Sequence, residues 1–163
     1  YINKGETVKL DDLEITCFEV PHDSTDNVGY SINICGHVFT FITDIGRITP
    51  TIAEFVNKSE YLVMEANYDK SMLDSGPYPT HLKERIACGN GHLCNKELAE
   101  FISNNFPPNL KKLWLCHLSK ENNHPELALK TVEIALREKN IIVGKDIDVI
   151  PLRRTTPTGI FEL

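Results

Sequence analysis

The sequence predicts a mixed α/β fold in which one sheet carries helices on a single face. Three strand-like segments come first along the chain, and helical and strand-like segments then alternate. That order is typical of a layered α/β architecture. The 163 residues suit one compact domain. Helices on one face would leave the other face bare, so we expect a further part of the domain or a partner to cover it.

The N-terminal third of the chain is predicted to form three strands. Residues 13–20 alternate apolar and polar side chains, as a half-buried strand does. Residues 28–43 form two further strands joined by a turn at residues 35–37. The second of these strands is apolar almost throughout, which is typical of a buried strand.

Helices and strands alternate in the rest of the chain. Thr49 as N-cap and Pro50 at the first helical position begin a short helix over residues 49–58. Asn95 is the expected N-cap of a later helix. The other predicted helices cover residues 79–89, 95–106 and 123–140. The other predicted strands cover residues 60–67, 111–118 and 146–150.

The composition excludes several classes of protein. With a formal net charge of −6, the chain has no broad basic surface for passive binding of nucleic acid, although an enzyme can still meet phosphates through bound metal ions. No apolar stretch approaches eighteen residues and no signal peptide is recognisable, so we expect no membrane association. The five cysteines include no C-x-x-C pair, which predicts reduced thiols and a cytoplasmic protein. Cys17, Cys35 and Cys116 lie in apolar segments and are expected in the core.

Polar side chains follow the apolar strands at the points where the strands end. His22 follows the first predicted strand, and Asp44 follows the third. The segment Glu65–Asp69, which includes Asn67, comes at the end of the fourth strand, and His117 comes at the end of the next one. Loops at the ends of strands converge at one edge of an open α/β sheet, and functional groups gather there. Two imidazoles and one carboxylate suit zinc or manganese, and a pair of such ions about 3.5–4 Å apart can clamp a phosphodiester.

Each of these residues also has a structural interpretation. A histidine at the end of a strand, such as His22 or His117 taken singly, commonly forms a hydrogen bond within a turn. Asp44 precedes Ile45 and Gly46 and could accept hydrogen bonds from nearby backbone N–H groups in a turn. Spacing alone therefore leaves both a metal site and a set of ordinary turn residues open.

Taken in order, the polar segments resemble the second half of the metallo-β-lactamase superfamily. The similarity is greatest to its YycJ (WalJ)-like subfamily, whose members look like DNA exonucleases related to tRNA 3′-processing and β-CASP nucleases. It covers essentially the whole chain, and the segments GHLCN and HLSKENN are its most specific parts. The matching segments are PHDS (21–24), FITDIG (41–46), MEANYD (64–69), HLKERI (81–86), GHLCN (91–95) and CHLSKENN (116–123).

The resemblance implies a set of site residues. His22, Asp44 and His117 match metal ligands of the superfamily, with Asp44 as the bridging carboxylate between two divalent ions, zinc or manganese. Asn67 and His92 are placed near the mouth of the active site, so Asp44, His92 and Asn67 form the implied catalytic group. For His92, a role as cap of the following helix stays open beside contact with a phosphate.

The sequence departs from the family pattern at two levels. Tyr68 stands where the family has a histidine, and the HxHxDH motif that supplies the first ligands of both metals does not occur in the sequence. Together with a start other than Met, this implies that residues 1–163 are the C-terminal half of an αββα metallo-β-lactamase domain. We therefore expect this chain alone to bind little or no metal and to be inactive.

The function implied for the intact protein is metal-dependent hydrolysis. A phosphodiesterase that acts as a DNA exonuclease, with nucleic acid as its substrate, is the leading interpretation. Another hydrolase on the same fold, such as a lactonase, a thioesterase or an RNA-processing enzyme, is the first alternative. The second alternative is a non-catalytic half-domain that associates with another chain or with itself.

Overall fold

The strands assemble in the order in which they occur along the chain. In a computed structural model that describes residues 1–161, they form a seven-stranded sheet with the order β1 to β7. The strands are β1 (Thr7–Leu10), β2 (Leu13–Glu19), β3 (Val28–Ile34), β4 (His37–Ile42), β5 (Tyr61–Glu65), β6 (Lys112–Cys116) and β7 (Asp148–Pro151).

The direction of the strands determines where their ends meet. β1 to β4 pair antiparallel, whereas β4 to β7 pair parallel. Since β2 is separated from β4 by one antiparallel neighbour, it runs in the same direction as β4. The C-terminal ends of β2, β4, β5, β6 and β7 therefore lie at one edge of the sheet, and the segments that follow them are brought together there.

The helices bury one face of the sheet. They are α1 (Pro50–Asn57), α2 (Lys70–Ser75), α3 (Thr80–Ala87), α4 (Asn95–Asn104) and α5 (Pro125–Glu138). Alternate strand residues, such as Leu62 and Leu113, meet apolar helix residues, such as Ile52, Leu98 and Val132, in one core whose members are almost fully buried. Removal of that apolar area from water is the main stabilising contribution, about 1.5–3 kcal/mol for each fully buried large side chain.

The opposite face of the sheet is apolar and partly exposed. Tyr30, Ile34 and Phe41 have relative exposures of 39%, 43% and 37%. We call this surface the open face; it comprises Tyr30, Ile34, Phe39, Phe41, Val63 and Trp114. Phe161 packs edge-on against Trp114, with ring centroids 5.3 Å apart, and covers part of it. The predicted architecture, a mixed sheet with helices on one face, is confirmed.

Three local predictions require correction. β1 and α2 were not predicted, because β1 has only four mostly exposed residues and α2 is a six-residue helix that begins at the side-chain cap of Asp69. Cys35 is exposed in the β3–β4 turn at a φ of 52°, so its assignment to the core is wrong. The N-cap of α4 is Cys94, one residue before the predicted Asn95.

The membrane and thiol predictions can also be compared with the fold. Within residues 1–161, no helix has the length and apolar character that a membrane crossing requires. All five cysteines are free thiols, and Cys17, Cys94 and Cys116 are buried.

Candidate metal centre

The five residues predicted for the site lie at the edge where the strand ends meet. Asp44 and His117 belong to a cluster that also includes His92 and Glu65, and one ligand atom of each member lies within 4.8 Å of the others. His22 adjoins this cluster, because its ring centroid is 5.0 Å from that of His92. Segments that are far apart in the sequence therefore converge as the strand directions require.

Asp44 stands between two imidazoles. Its Oδ1 atom is 3.6 Å from Nε2 of His22 and 3.7 Å from Nδ1 of His117. Asp44 thus lies between the two rings. Because Nδ1 of His117 hydrogen-bonds Glu65, the other ring nitrogen of His117 is the one that could bind a metal. The side chain of Asp44 is 37% exposed, so the group is also open to solvent.

His22 is held in one orientation. Its Nδ1 atom donates a hydrogen bond of 2.8 Å to the carbonyl oxygen of Gly91, which leaves Nε2 facing Asp44 and Asp23. Arg85 donates two hydrogen bonds, of 2.5 and 3.0 Å, to the Asp23 carboxylate. These hydrogen bonds hold the pKa of Asp23 below its usual value. A carbonyl oxygen that accepts a hydrogen bond from one ring nitrogen, as that of Gly91 does from His22, fixes the ring orientation and the tautomer of a metal-binding histidine.

Asp44 and His117 both have left-handed backbone conformations. Their φ angles are 54° and 53°, which non-glycine residues adopt at a cost and which occur often at functional sites. An asparagine stabilises each position. Asn27 donates from Nδ2 to the carbonyl oxygen of Asp44 at 2.6 Å, and Asn67 donates from Nδ2 to the carbonyl oxygen of His117 at 2.8 Å.

Glu65 is a member of the site to which the sequence assigned no role. Its side chain is fully buried at the end of β5 and accepts hydrogen bonds from Nδ1 of His92 at 2.9 Å and Nδ1 of His117 at 3.0 Å. The backbone N–H groups of Leu93 and Ile45 also donate to it, at 3.2 and 3.3 Å. The feature of the sequence that could have indicated this role is a carboxylate at the last position of an otherwise apolar strand, Tyr61–Glu65.

The pKa values at Glu65 and His117 reflect this arrangement. Burial raises the pKa of Glu65, but the hydrogen bonds from His117 and His92 outweigh burial and leave the pKa below its ordinary value. The hydrogen bond to Glu65 raises the pKa of His117, against the opposing effects of burial and of the Arg154 charge. Glu65 is therefore an ionised, buried acceptor for two imidazoles.

The positions of His92 and Tyr68 answer two questions that the sequence left open. Cys94 caps α4, and Glu97 completes the capping box, so the cap role considered for His92 is wrong. The ring of His92 is hydrogen-bonded to Glu65 instead. Tyr68 is buried in a separate small apolar cluster with Leu73 and Cys94.

A buried network of asparagines fixes the backbone beside the site. Nδ2 of Asn123 lies within hydrogen-bonding distance of the carbonyl oxygens of Ala66 and Asn67, at 2.8 and 3.0 Å, and of Oδ1 of Asn95 at 2.9 Å. Ser119 donates its N–H to the carbonyl oxygen of Asn67 at 2.7 Å. The segments that follow β5 and β6 are thereby joined directly below the ligand cluster.

The chemistry of the donor set fits divalent metal ions. Imidazole nitrogens and carboxylate oxygens are the ligands that zinc and manganese accept. The side chains are ordered by hydrogen bonds to a buried carboxylate and to backbone carbonyls, as metal ligands usually are. The arrangement can hold metal, position a phosphate and supply an imidazole for proton transfer.

The chain is similar to proteins of the β-lactamase superfamily. The sequence profile of the β-lactamase superfamily domain matches residues 1–109. Exodeoxyribonuclease WalJ of Streptococcus pneumoniae is 35% identical over 159 residues, which are 98% of this chain and 59% of that protein. Exodeoxyribonuclease YycJ of Bacillus anthracis is 31% identical over 156 residues, 96% of this chain and again 59% of the relative.

A solved structure shows the same fold at lower sequence similarity. The metallo-β-lactamase fold protein YhfI from Bacillus subtilis has a TM-score of 0.66 at 13% identity, over 98% of this chain and 53% of that protein. The chain thus spans less than two thirds of the length of each of these three proteins.

Proposed function

The chain belongs to the β-lactamase superfamily, and we propose that it is part of a two-metal phosphodiesterase that degrades DNA from a free end. The observation that carries this proposal is the position of Asp44, whose Oδ1 lies 3.6 and 3.7 Å from nitrogen atoms of His22 and His117. The names of the two bacterial exodeoxyribonucleases, at 35% and 31% identity, support the choice of DNA as substrate.

In this proposal His22, Asp44 and His117 would hold divalent ions, zinc or manganese. When bound, such ions would activate water near neutral pH and stabilise negative charge on a phosphate. The chain's own contribution is to hold the ligands in place. Two hydrogen bonds hold the ligands in position: His22 donates to the carbonyl oxygen of Gly91, and Asn67 donates to the carbonyl oxygen of His117.

His92 has a different role in the proposal. Its Nδ1 atom is engaged by the buried carboxylate of Glu65, so its second ring nitrogen is free to meet a phosphate oxygen or to give a proton to the leaving oxygen. Glu65 fixes the orientation of the ring through this hydrogen bond. Asn67 acts as a positioning residue, since it donates to the carbonyl oxygen of His117.

The proposal assigns the remaining metal ligands to a preceding half of the domain. Relatives that extend well beyond the matched region and an apolar open face on the sheet support this assignment. Residues 1–163 by themselves then hold metal weakly and do not hydrolyse DNA. Five free thiols agree with a reducing, cytoplasmic setting.

The test uses the full-length protein with its natural upstream sequence. After removal of metal with EDTA, manganese or zinc is added back, and release of nucleotides from linear and from circular DNA is measured. Asp44→Asn is the informative variant, because asparagine tolerates a positive φ better than alanine does and so separates ligand loss from backbone strain. Asp74→Asn, on an exposed face of α2, is the matched control.

The proposal expects metal-dependent loss of linear DNA, a large loss of activity in Asp44→Asn and none in Asp74→Asn. Full activity in Asp44→Asn would refute the metal assignment. A panel of lactone, thioester and RNA substrates tests the other hydrolases that this fold supports, because the fold alone does not determine the reaction. Turnover of one of these substrates without turnover of DNA would replace the nuclease assignment.

A further inference from the structure

A cavity of about 380 Å³ adjoins the candidate metal centre on the β7 side of the sheet. It is lined by Cys116, His117, Leu118, Leu152, Arg153 and Arg154. His117 therefore belongs both to the ligand cluster and to the wall of this cavity. The charged groups in this wall are the guanidinium groups of Arg153 and Arg154. This part of the surface is therefore positively charged, although the chain as a whole has a formal net charge of −6.

The backbone carries the two arginines to this position. β6 and β7 are parallel, so their C-terminal ends lie at the same edge of the sheet. Leu152 donates its N–H to the carbonyl oxygen of Leu115 at 2.8 Å, which continues the pairing one residue beyond β7. Arg153 then donates its N–H to Oγ1 of Thr158 at 3.1 Å. The arginines thus leave the sheet beside His117.

Arg154 is anchored but retains most of its donors. Its Nη2 atom donates to the carbonyl oxygen of Leu118 at 3.1 Å, one residue after His117. A guanidinium has five N–H donors, so further donors can bind a ligand. Within residues 1–161, Arg153 and Arg154 take part in no ion pair, whereas Arg85 is paired with Asp23. Both side chains are exposed.

The charge distribution identifies the ligand. Asp44 and Glu65 make the centre acidic, so a strand of nucleic acid is repelled there except where metal ions neutralise its phosphates. A backbone phosphate next to the one under attack would be stabilised by a further cation, and the two guanidinium groups line the cavity that adjoins His117. The planar fork of a guanidinium matches two phosphate oxygens.

From this juxtaposition we propose that Arg153 and Arg154 bind the backbone phosphate that neighbours the scissile phosphate in the nucleic-acid strand. The proposal rests on the proposed nuclease function. It adds a subsite on the β7 side of the centre, which recognises the polymer without reading its sequence.

The first test measures binding without metal. The full-length protein is titrated with fluorescein-labelled (dT)12 in EDTA at several salt concentrations, with anisotropy as the readout. Arg154→Ala should bind roughly tenfold more weakly, and the slope of log affinity against log salt should fall by about 0.7 per lost phosphate contact on a single strand. Arg153→Ala/Arg154→Ala should lose more, and Arg154→Lys should retain part of the salt dependence.

Arg137→Ala is the matched control, because it removes the same charge elsewhere. α5 begins beside the site at Pro125 and runs through fourteen residues to Glu138, so Arg137 in its last turn lies towards the opposite edge of the sheet. Its removal should leave the salt slope unchanged. An equal loss of slope in Arg137→Ala would show a general charge effect and overturn the proposal.

The second test compares two substrates in the presence of metal. Bis(p-nitrophenyl) phosphate has a scissile diester but no neighbouring phosphate, so Arg154→Ala should raise the KM for the oligonucleotide by a larger factor than the KM for this diester. An equal change for both substrates would place Arg154 at the reacting phosphate or in the structure, and would overturn the subsite. If the wild type degrades DNA and the double variant binds (dT)12 as the wild type does, only the subsite fails. If the wild type neither binds nor degrades nucleic acid, the proposed function fails with it.

Discussion

The fully buried carboxylate of Glu65 accepts a 2.9 Å hydrogen bond from Nδ1 of His92, and the same carboxylate accepts one from His117. One side chain at the end of β5 therefore orients an imidazole of the ligand cluster and the imidazole proposed for proton transfer. The two backbone N–H groups that also donate to Glu65 fix the carboxylate itself.

Glu65→Gln should lower activity by about 10- to 100-fold, the range for partners that orient metal ligands. A glutamine oxygen can accept only part of these hydrogen bonds, and its NH₂ group would face other donors. For the same reason the free energy of unfolding should fall by about 1–3 kcal/mol. Measurement of kcat/KM on linear DNA, together with urea unfolding, tests both effects; unchanged activity would remove Glu65 from the site.

Metal should stabilise the full-length protein against heat. A ligand that binds only the folded state at 100 times its Kd adds about 2.7 kcal/mol to the free energy of unfolding. At about 2–4 °C per kcal/mol, that raises Tm by roughly 5–10 °C. Thermal unfolding with EDTA and with manganese or zinc measures the shift without any assay of activity.

The same measurement on variants locates the metal. In Asp44→Asn the shift should largely disappear, whereas Asp74→Asn should show it in full. A full shift in Asp44→Asn would mean that the stabilising ion binds elsewhere.

Gly91→Ala should damage the site through the backbone. A Cβ atom at Gly91 would lie 2.1 Å from the carbonyl oxygen of Arg85 and 2.3 Å from that of Ile86, so the loop must shift. The carbonyl oxygen of Gly91 accepts the hydrogen bond that orients His22. Overpacking of this kind costs about 1–3 kcal/mol, and activity should fall with it.

Gly89→Ala is the control in the same loop. The contacts nearest to its added Cβ would be side-chain atoms of Arg47, at 3.6 and 3.7 Å, an ordinary van der Waals distance. Its free energy of unfolding should change by no more than about 0.5 kcal/mol. If urea unfolding gave the same loss for both variants, close packing at Gly91 would not be the cause.

The edge of the sheet at which the site lies could be predicted because apolar strands and the polar residues after them are visible in the sequence. His22, Asp44 and His117 each follow such a strand, and parallel strands bring their ends together. Glu65 could not be given a role in this way. Its burial as a charged group depends on His92 and His117, which are 27 and 52 residues further along the chain.

The elements that the sequence did not reveal are those with little apolar pattern. α2 has a single fully buried residue, Leu73, and begins at the side-chain cap of Asp69. Cys35 looked apolar in its segment, but the β3–β4 turn needs positive φ at both Cys35 and Gly36. Cys35 is exposed because of the local geometry of the turn. The mean hydropathy of the surrounding segment does not reveal that geometry.

The open face predicts how residues 1–163 behave when they are expressed alone. Large exposed apolar patches favour association, so light scattering should give a mass above that of the 18.4 kDa monomer, rising with concentration. Ile34→Lys/Phe41→Lys should shift the chain towards the monomer, because both side chains are exposed on this face. Ile134→Lys, at an exposed apolar residue of α5, is the control and should not. A clean monomer of the unaltered chain would contradict the prediction.

The same double variant in the full-length protein separates two explanations of the open face. If the preceding half of the domain packs on it, two lysines are buried there, and the free energy of unfolding should fall by several kcal/mol, since burying an unpaired charge is costly. If a second copy covers it instead, the unaltered full-length protein should be a dimer and the variant a folded monomer. Urea unfolding together with light scattering distinguishes these results. We expect the first, because both exodeoxyribonuclease relatives continue well beyond the region that this chain matches.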